Sequence, residues 1–226
     1  MGKLPDALDL QLGYWNGVGA AKRFSHPVPV PELFALLGPD ADILDYGCGY
    51  GRVCAELAQA GFTKVVGVDA SSALIARGKA ECAGLDLPGL DLRTVSGPPL
   101  PFAAASFDAC LLVALLTCVP TEAGAAALLA EAHRLLRPGG LLFLSDYPLQ
   151  NDARNLARYR EFAQEFGSYG VFRTQGAVFR HYAQQDQDRL LGGFDLLWRR
   201  ERKVLTLNGN EADIFQVLAR KSLEAA

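Results

Sequence analysis

The chain predicts an open α/β fold, a mostly parallel sheet with helices on both faces. Short apolar runs at 43–45, 65–68, 91–95, 109–117 and 141–144 alternate with stretches of helical periodicity. The connections are short, and a glycine-rich turn joins the first run to the first helix that follows it. Near the end, Asn208-Gly209 separates two strand-like segments, 194–207 and 213–220, so an antiparallel hairpin should close the sheet.

Each element has its own signal. Tyr14 and Trp15 open a stretch, 14–31, in which Pro27, Pro29 and Pro31 keep the backbone extended. Pro31 suits the first turn of a helix over 31–37, stopped at Gly38. Ile43-Leu44-Asp45 is the first buried strand, and the helix 51–60 after it ends at Gly61. Val65-Val66-Gly67-Val68 is the second strand, followed by a helix over 71–83 and a third strand at 91–95. The run 109–117 is apolar throughout, as a central parallel strand covered on both faces requires. Thr121 is a candidate N-cap for a helix over 122–136, and Pro138-Gly139-Gly140 stops it. Leu141 then opens the fifth strand. An insertion, 147–182, holds Tyr147, Tyr159, Phe172, Phe179, His181 and Tyr182, with a small hairpin turning at Thr174-Gln175-Gly176. No repeat or linker divides the chain, so 1–226 reads as one domain, with 1–38 and 147–182 as caps.

Composition excludes several functions. With 226 residues, 25 acids against 22 Lys plus Arg, and a pI of about 5.6, the chain lacks the cationic excess that nucleic-acid binding demands. Its densest basic stretch, Trp198-Arg199-Arg200-Glu201-Arg202-Lys203, fits an exposed edge strand. Five scattered cysteines (48, 54, 82, 110, 118) and three distant histidines (26, 133, 181) form no zinc pattern. The first ten residues have no apolar core of a signal peptide, and Asp6 breaks the myristoylation pattern. The longest apolar run falls far short of the roughly 20 residues that span a bilayer. A cytoplasmic, metal-free protein, monomeric or homodimeric, is the expectation.

The turn Asp45-Tyr46-Gly47-Cys48-Gly49-Tyr50-Gly51 carries the chemistry. In doubly wound sheets, ligands bind beyond the carboxyl ends of the strands. Here glycines let a ligand approach the main chain, and the helix that follows presents unpaired N–H donors. The dinucleotide pattern G-x-G-x-x-G fails because Arg52 occupies its last glycine, which disfavours a pyrophosphate. Asp45 adds a carboxylate that would attract an ammonium. Asp69 ends the second strand 18 residues after Gly51, where vicinal ribose hydroxyls find an acceptor. A ligand with a ribose, an amine and a carboxylate but no diphosphate is implied, and S-adenosylmethionine (SAM) has those parts.

With these residues, I-L-D-Y-G-C-G-Y-G-R, V-V-G-V-D, L-P-F at 100–102, S-F-D at 106–108 and L-L-R-P-G-G at 135–140, the chain resembles the class I SAM-dependent methyltransferases. The resemblance covers 43–145. It implies a Rossmann-like seven-stranded sheet of order 3-2-1-4-5-7-6 with strand 7 antiparallel. It also implies that Gly47, Gly49 and Gly51 line the methionine end and that Asp69 holds the ribose. Cys48, Arg52, Ala70, Val113 and Tyr14 complete the expected cofactor set. One departure concerns adenine: an acid often stands where this chain has Ser96, followed by Gly97, so a hydroxyl and backbone groups would take its place.

The residues after the fourth strand lack the Asn/Asp-Pro-Pro-aromatic pattern of base-amino methylation and the magnesium-binding acids of catechol-type enzymes. Metal-free transfer to an oxygen, nitrogen or sulfur of a small molecule is the remaining reading. His26 and His181 are the candidate bases, or else surface histidines; His133 belongs to a packing helix. The insertion's aromatics either line the site or form its own core. The alternatives are a non-catalytic SAM-binding or partner-binding domain and an NAD(P)-dependent oxidoreductase.

Overall fold

The computed structural model describes residues 7–223; the leader and acylation readings rest largely on residues 1–6, which lie outside them. The chain opens with α1 (Ala7–Asn16), a 3-10 turn at Val18–Ala21 and an extended strap, 22–29. There follow α2 (Val30–Leu37), β1 (Asp42–Tyr46), α3 (Arg52–Gln59), β2 (Lys64–Asp69), α4 (Ser72–Cys82) and β3 (Leu90–Thr94). The second half holds β4 (Phe107–Val113), α5 (Glu122–Leu135), β5 (Leu136–Asp146), α6 (Ala153–Phe166), β6 (Val171–Thr174), β7 (Ala177–Arg180), α7 (Gln184–Leu190), β8 (Phe194–Leu205) and β9 (Glu211–Lys221).

Seven strands form one sheet of order β3-β2-β1-β4-β5-β9-β8, with β6 and β7 as a separate hairpin. The first five are parallel, and β9 runs antiparallel to β5 and β8. Numbered without the small hairpin, this is the expected order 3-2-1-4-5-7-6. Alternation divides the core between the two faces. Leu44, Leu112, Leu142 and Leu144 pack on α5 through Leu128, Leu129, Ala132 and Leu135. Ile43, Leu111 and Phe143 face the other way, onto Leu33 of α2 and Val53 and Leu57 of α3. Side-chain caps start three helices: Ser71 accepts from Leu74 N–H (3.1 Å), Thr121 from Gly124 N–H (3.1 Å) and Asp152 from Asn155 N–H (3.1 Å).

Four details differ from the sequence reading. Tyr14 and Trp15 lie on α1, because the prolines hold the chain extended only around 27 and 29. β4 stops at Val113 rather than 117: Ala114 takes a left-handed φ of 54°, and the chain turns through a 3-10 helix at Leu116–Cys118. Asp146 stabilises that turn by accepting the Thr117 N–H at 3.2 Å. The insertion contains a four-turn helix, α6, for which no start or stop had been read. The terminal hairpin turns through five residues, 206–210, since Leu205 pairs with Glu211, and Gly209 takes the left-handed position (φ 76°). The small hairpin does turn at Gln175-Gly176. The basic stretch lies on the edge strand β8, where Arg199, Arg200 and Lys203 pair with Asp188, Glu32 and Asp213. His133 packs edge-on against Phe194 at 5.4 Å. Among the described residues, no helix is long and apolar enough to cross a membrane.

One glycine tests the close seating of α4. In an exposed helix interior, Gly→Ala stabilises by about 1 kcal/mol. At Gly78 an added Cβ would lie 2.5 Å from the Tyr50 carbonyl oxygen and 2.9 Å from Leu92 Cδ1. Gly78→Ala is therefore expected to destabilise the fold by about 1–3 kcal/mol, the range for overpacking. Urea denaturation reads it, and an unchanged or raised midpoint would show that α4 has slack there.

Candidate active site

A cavity of about 240 Å³ opens beyond the carboxyl ends of β1, β2 and β4. Its floor is the glycine turn. Gly47, Gly49 and Gly51 all have left-handed φ values (79°, 58° and 73°), which curl the chain between β1 and α3. The Gly47 and Cys48 N–H groups both donate to the Val68 carbonyl, at 2.8 and 3.0 Å. Gly49 N–H donates to Asp69 Oδ2 (2.8 Å), and Ser71 N–H donates to Asp69 Oδ1 (2.8 Å). Asp69 thus fixes the turn after β1 and the turn after β2 together. Each carboxylate oxygen keeps a further lone pair for a ligand hydroxyl. Burial raises the Asp69 pKa, opposed by its backbone hydrogen bonds.

Asp45 is buried, with Cys54 Sγ donating to Oδ2 at 3.3 Å and no partner for Oδ1 among the described residues. Burial pushes its pKa to about 7. An unmatched buried carboxylate oxygen beside a glycine turn is where a ligand ammonium would gain most. The same end is closed by the strap. Phe24 covers Gly49 so tightly that a Cβ there would lie 2.2 Å from the ring. A side chain at Gly49 would therefore strike Phe24 first. Arg52 reaches over α3, donating to Glu56 (2.6 Å) and to the His26 carbonyl (2.5 Å).

The far end of the cavity is aromatic and basic. Tyr147, just after β5, stands between two histidines: His26 edge-on at 4.8 Å and His181 stacked at 5.2 Å. Both imidazoles are buried, so neither is a surface histidine. His26 Nδ1 bonds Ser145 Oγ at 3.1 Å, while its Nε2 has no partner among the described residues. Burial, then Arg52, lower its pKa to about 4. His181 Nδ1 lies 2.5 Å from the Tyr159 hydroxyl, and burial lowers its pKa well below the ordinary value. Tyr14, Tyr159, Phe172 and Phe179 form one small core, so α1 and the insertion cap the site as a unit.

The structure brings most of the expected residues together. Tyr14, His26, Asp45, Gly47, Cys48, Gly49, Arg52, Asp69, Ala70, Gly97, Val113 and His181 all line the cavity. Two do not. Gly51 lies behind the turn against Leu92, where its role is the left-handed φ that starts α3. Ser96 is exposed and off the wall, and Val95, Gly97 and Pro98 stand there instead. Sequence reasoning missed Phe24, Arg154, Asn155, Arg158 and the tip residues Thr206, Asn208 and Asn210. The i,i+4 spacing of Arg154 and Arg158 behind the cap Asp152 was a usable signal; the hairpin tip had none.

Residues 43–140 match the family described as methyltransferase domain. The chain is 34% identical over 130 residues to an uncharacterised methyltransferase of Synechocystis, covering 57% of this chain and 56% of that protein. It is 33% identical over 159 residues to the trans-aconitate 2-methyltransferase of Deinococcus radiodurans, covering 65% and 55%. The chain thus spans about half the length of these curated relatives. A crystal structure of a SAM-dependent methyltransferase from Methanosarcina mazei is similar over 88% of this chain and 99% of that one, at 26% identity and a TM-score of 0.80. Sheet order, glycine turn and these matches support the resemblance to class I SAM-dependent methyltransferases that the motifs carry.

Folding raises the Asp45 pKa from 3.8 to about 7, so between those values the folded chain binds more protons than the unfolded one. The ligand-free protein accordingly loses stability as pH rises from about 4 to 7. Asp45→Asn removes that loss and should stabilise the ligand-free protein at pH 8 by on the order of 4 kcal/mol, about three pKa units. Thermal unfolding at pH 5 and pH 8 checks it, and equal stability of variant and parent at pH 8 would contradict the unmatched carboxylate.

Proposed function

We propose that this chain binds SAM at the glycine-turn end of the cavity and passes its methyl group, without a metal, to a small molecule held at the aromatic end. The observation that carries the reading is the continuity of the cavity from Asp45 and Asp69 to Tyr147, His26 and His181. When bound, SAM supplies an electrophilic methyl on a sulfonium. Everything else falls to the chain: to hold the two reactants in line, keep water out and take a proton where the acceptor carries one.

Asp45 would pair with the methionine ammonium through its unmatched Oδ1, and Asp69 would accept the ribose hydroxyls. Gly97 and Pro98 would border the base. The strap through Phe24 and the α1–insertion cap exclude water. Lys22 Nζ ties the two hairpin tips over the mouth, donating to Gln175 Oε1 and Asn208 Oδ1, each at 3.0 Å.

The two histidines differ in what they can do. The Tyr159 hydroxyl accepts the Gln150 N–H at 3.1 Å, and in this reading its own proton goes to His181 Nδ1. In its neutral ring, His181 then carries its proton on Nε2 and acts as a donor, orienting an acceptor oxygen. Nδ1 of His26 is engaged with the Ser145 hydroxyl, and in this reading it is the nitrogen that carries the proton. Nε2 of His26 is left with a lone pair and no competing partner, so it is the group that would take the acceptor's proton.

Two measurements follow. Asp69→Ala should weaken SAM binding in isothermal titration by roughly 1.5–3 kcal/mol, the range for hydrogen bonds to a charged group; unchanged affinity in the folded variant would move the ribose elsewhere. His26→Gln should slow turnover about 10²-fold with SAM affinity nearly unchanged, while His181→Gln mainly raises the acceptor KM. With its pKa near 4, His26 stays neutral through physiological pH, so kcat/KM should fall only on the acid side, towards pH 4. The reverse ranking of the two variants would make His181 the base.

A further inference from the structure

The aromatic end of the cavity contains a cation with no ion-pair partner among the described residues. Arg158, on α6, lines the wall with its guanidinium 3.5 Å over the Phe172 ring and 5.9 Å from the Tyr159 ring. Phe172 in turn meets His181 edge-on at 4.9 Å, which puts Arg158 on the same wall as the two histidines and Tyr147. Its Nε is buried and has no hydrogen-bond partner among the described residues, and no carboxylate there lies within ion-pair range of it. Asp152, the acid nearest in sequence, is taken up by capping α6 and by Asn155 and Arg154. Arg180, a more deeply buried arginine whose Nε is likewise unpartnered among the described residues, has both Glu122 and Asp186 at 3.2 Å. Arg158 itself is half-buried, and a guanidinium partly withdrawn from water without such partners gains from a negative charge brought to it.

Charge on the cavity wall is sorted except for Arg52, which lines the glycine-turn end and pairs with Glu56. The carboxylates lining it among the described residues, Asp45 and Asp69, belong to the glycine-turn end, and α6 supplies Arg154 and Arg158 at the other. Next to Arg158, Asn155 is buried with its Oδ1 unpartnered, an acceptor for a hydroxyl or N–H on the same ligand. A planar guanidinium presents paired donors that match a carboxylate's two oxygens. The remaining surface, Tyr147, Phe172 and Phe179, offers stacking and apolar contact.

We propose that Arg158 is the specificity residue for the methyl acceptor, holding a carboxylate on a small, largely planar molecule. The inference rests on the methyltransferase reading and adds to it the acceptor's charge. The test uses the full chain saturated with S-adenosylhomocysteine, titrated with 4-hydroxybenzoate, salicylate and cinnamate and with the amide of each. At least one acid should bind tenfold or more tightly than its amide. Arg158→Gln, which keeps a stem over Phe172, should erase that preference by weakening the acid alone, and Arg158→Lys should restore part of it. Equal binding of every acid and its amide, no binding of any acid, or full acid affinity in Arg158→Gln would each overturn the proposal. S-adenosylhomocysteine affinity, measured separately, should stay within about twofold in Arg158→Gln. Failure of the parent chain to bind it would instead overturn the methyltransferase reading.

Discussion

The Asp69 carboxylate joins two pieces of chain that the sequence separates. One oxygen takes the N–H of Gly49, in the turn after β1; the other takes the N–H of Ser71, which caps α4. Charged hydrogen bonds of this length are among the stronger ones available to a protein. Because α4 is seated within contact of the Tyr50 carbonyl, any drift of one turn is felt by the other. The shape of the glycine-turn end of the cavity depends on this join. It fixes the height of Gly49 below Phe24 and the orientation of the two remaining lone pairs on Asp69 itself.

Around that join the sheet ends in acids that a stability criterion alone would not choose. Asp45, next to last in β1, and Asp146, which closes β5, are both buried, and burial pushes both pKa values to about 7. Asp146 is compensated internally by the N–H groups of Thr117 and Tyr147. Asp45 is not, apart from one thiol. A buried carboxylate oxygen that stays unmatched on a cavity wall is the expected mark of a site kept for something that arrives later.

The aromatic end of the cavity is built from parts remote in sequence. The strap brings His26 against Ser145 of β5, and Gln216 of β9 holds that strap through the Pro27 carbonyl at 2.6 Å. Gln11 of α1 donates to the Cys118 carbonyl at 3.1 Å and bonds the Val178 backbone, coupling the first helix to β4's exit turn and to the small hairpin. The cap is therefore an assembly of α1, strap and insertion around one aromatic cluster, and its charge comes from α6.

The glycine turn, Asp45, Asp69 and the sheet order were legible in the sequence because local rules enforce them. Positive φ demands glycine, a parallel strand covered on both faces reads as a continuous apolar run, and a strand-ending acid sits next to the turn by topology alone. Ser96 and Gly51 were misplaced by about one residue's worth of orientation, which sequence position does not encode. The exit of β4 at Ala114 and the placing of Tyr14 on a helix also escaped, since tertiary contacts (the Asp146 carboxylate and the insertion's aromatics) outweigh local preference there. Which partners each histidine meets was decided only by the fold: Tyr159, itself held by the Gln150 N–H, lies against Nδ1 of His181, and Ser145 lies against Nδ1 of His26. Hydrogen-bond direction depends on groups far apart along the chain, and so it exists only once the chain is folded.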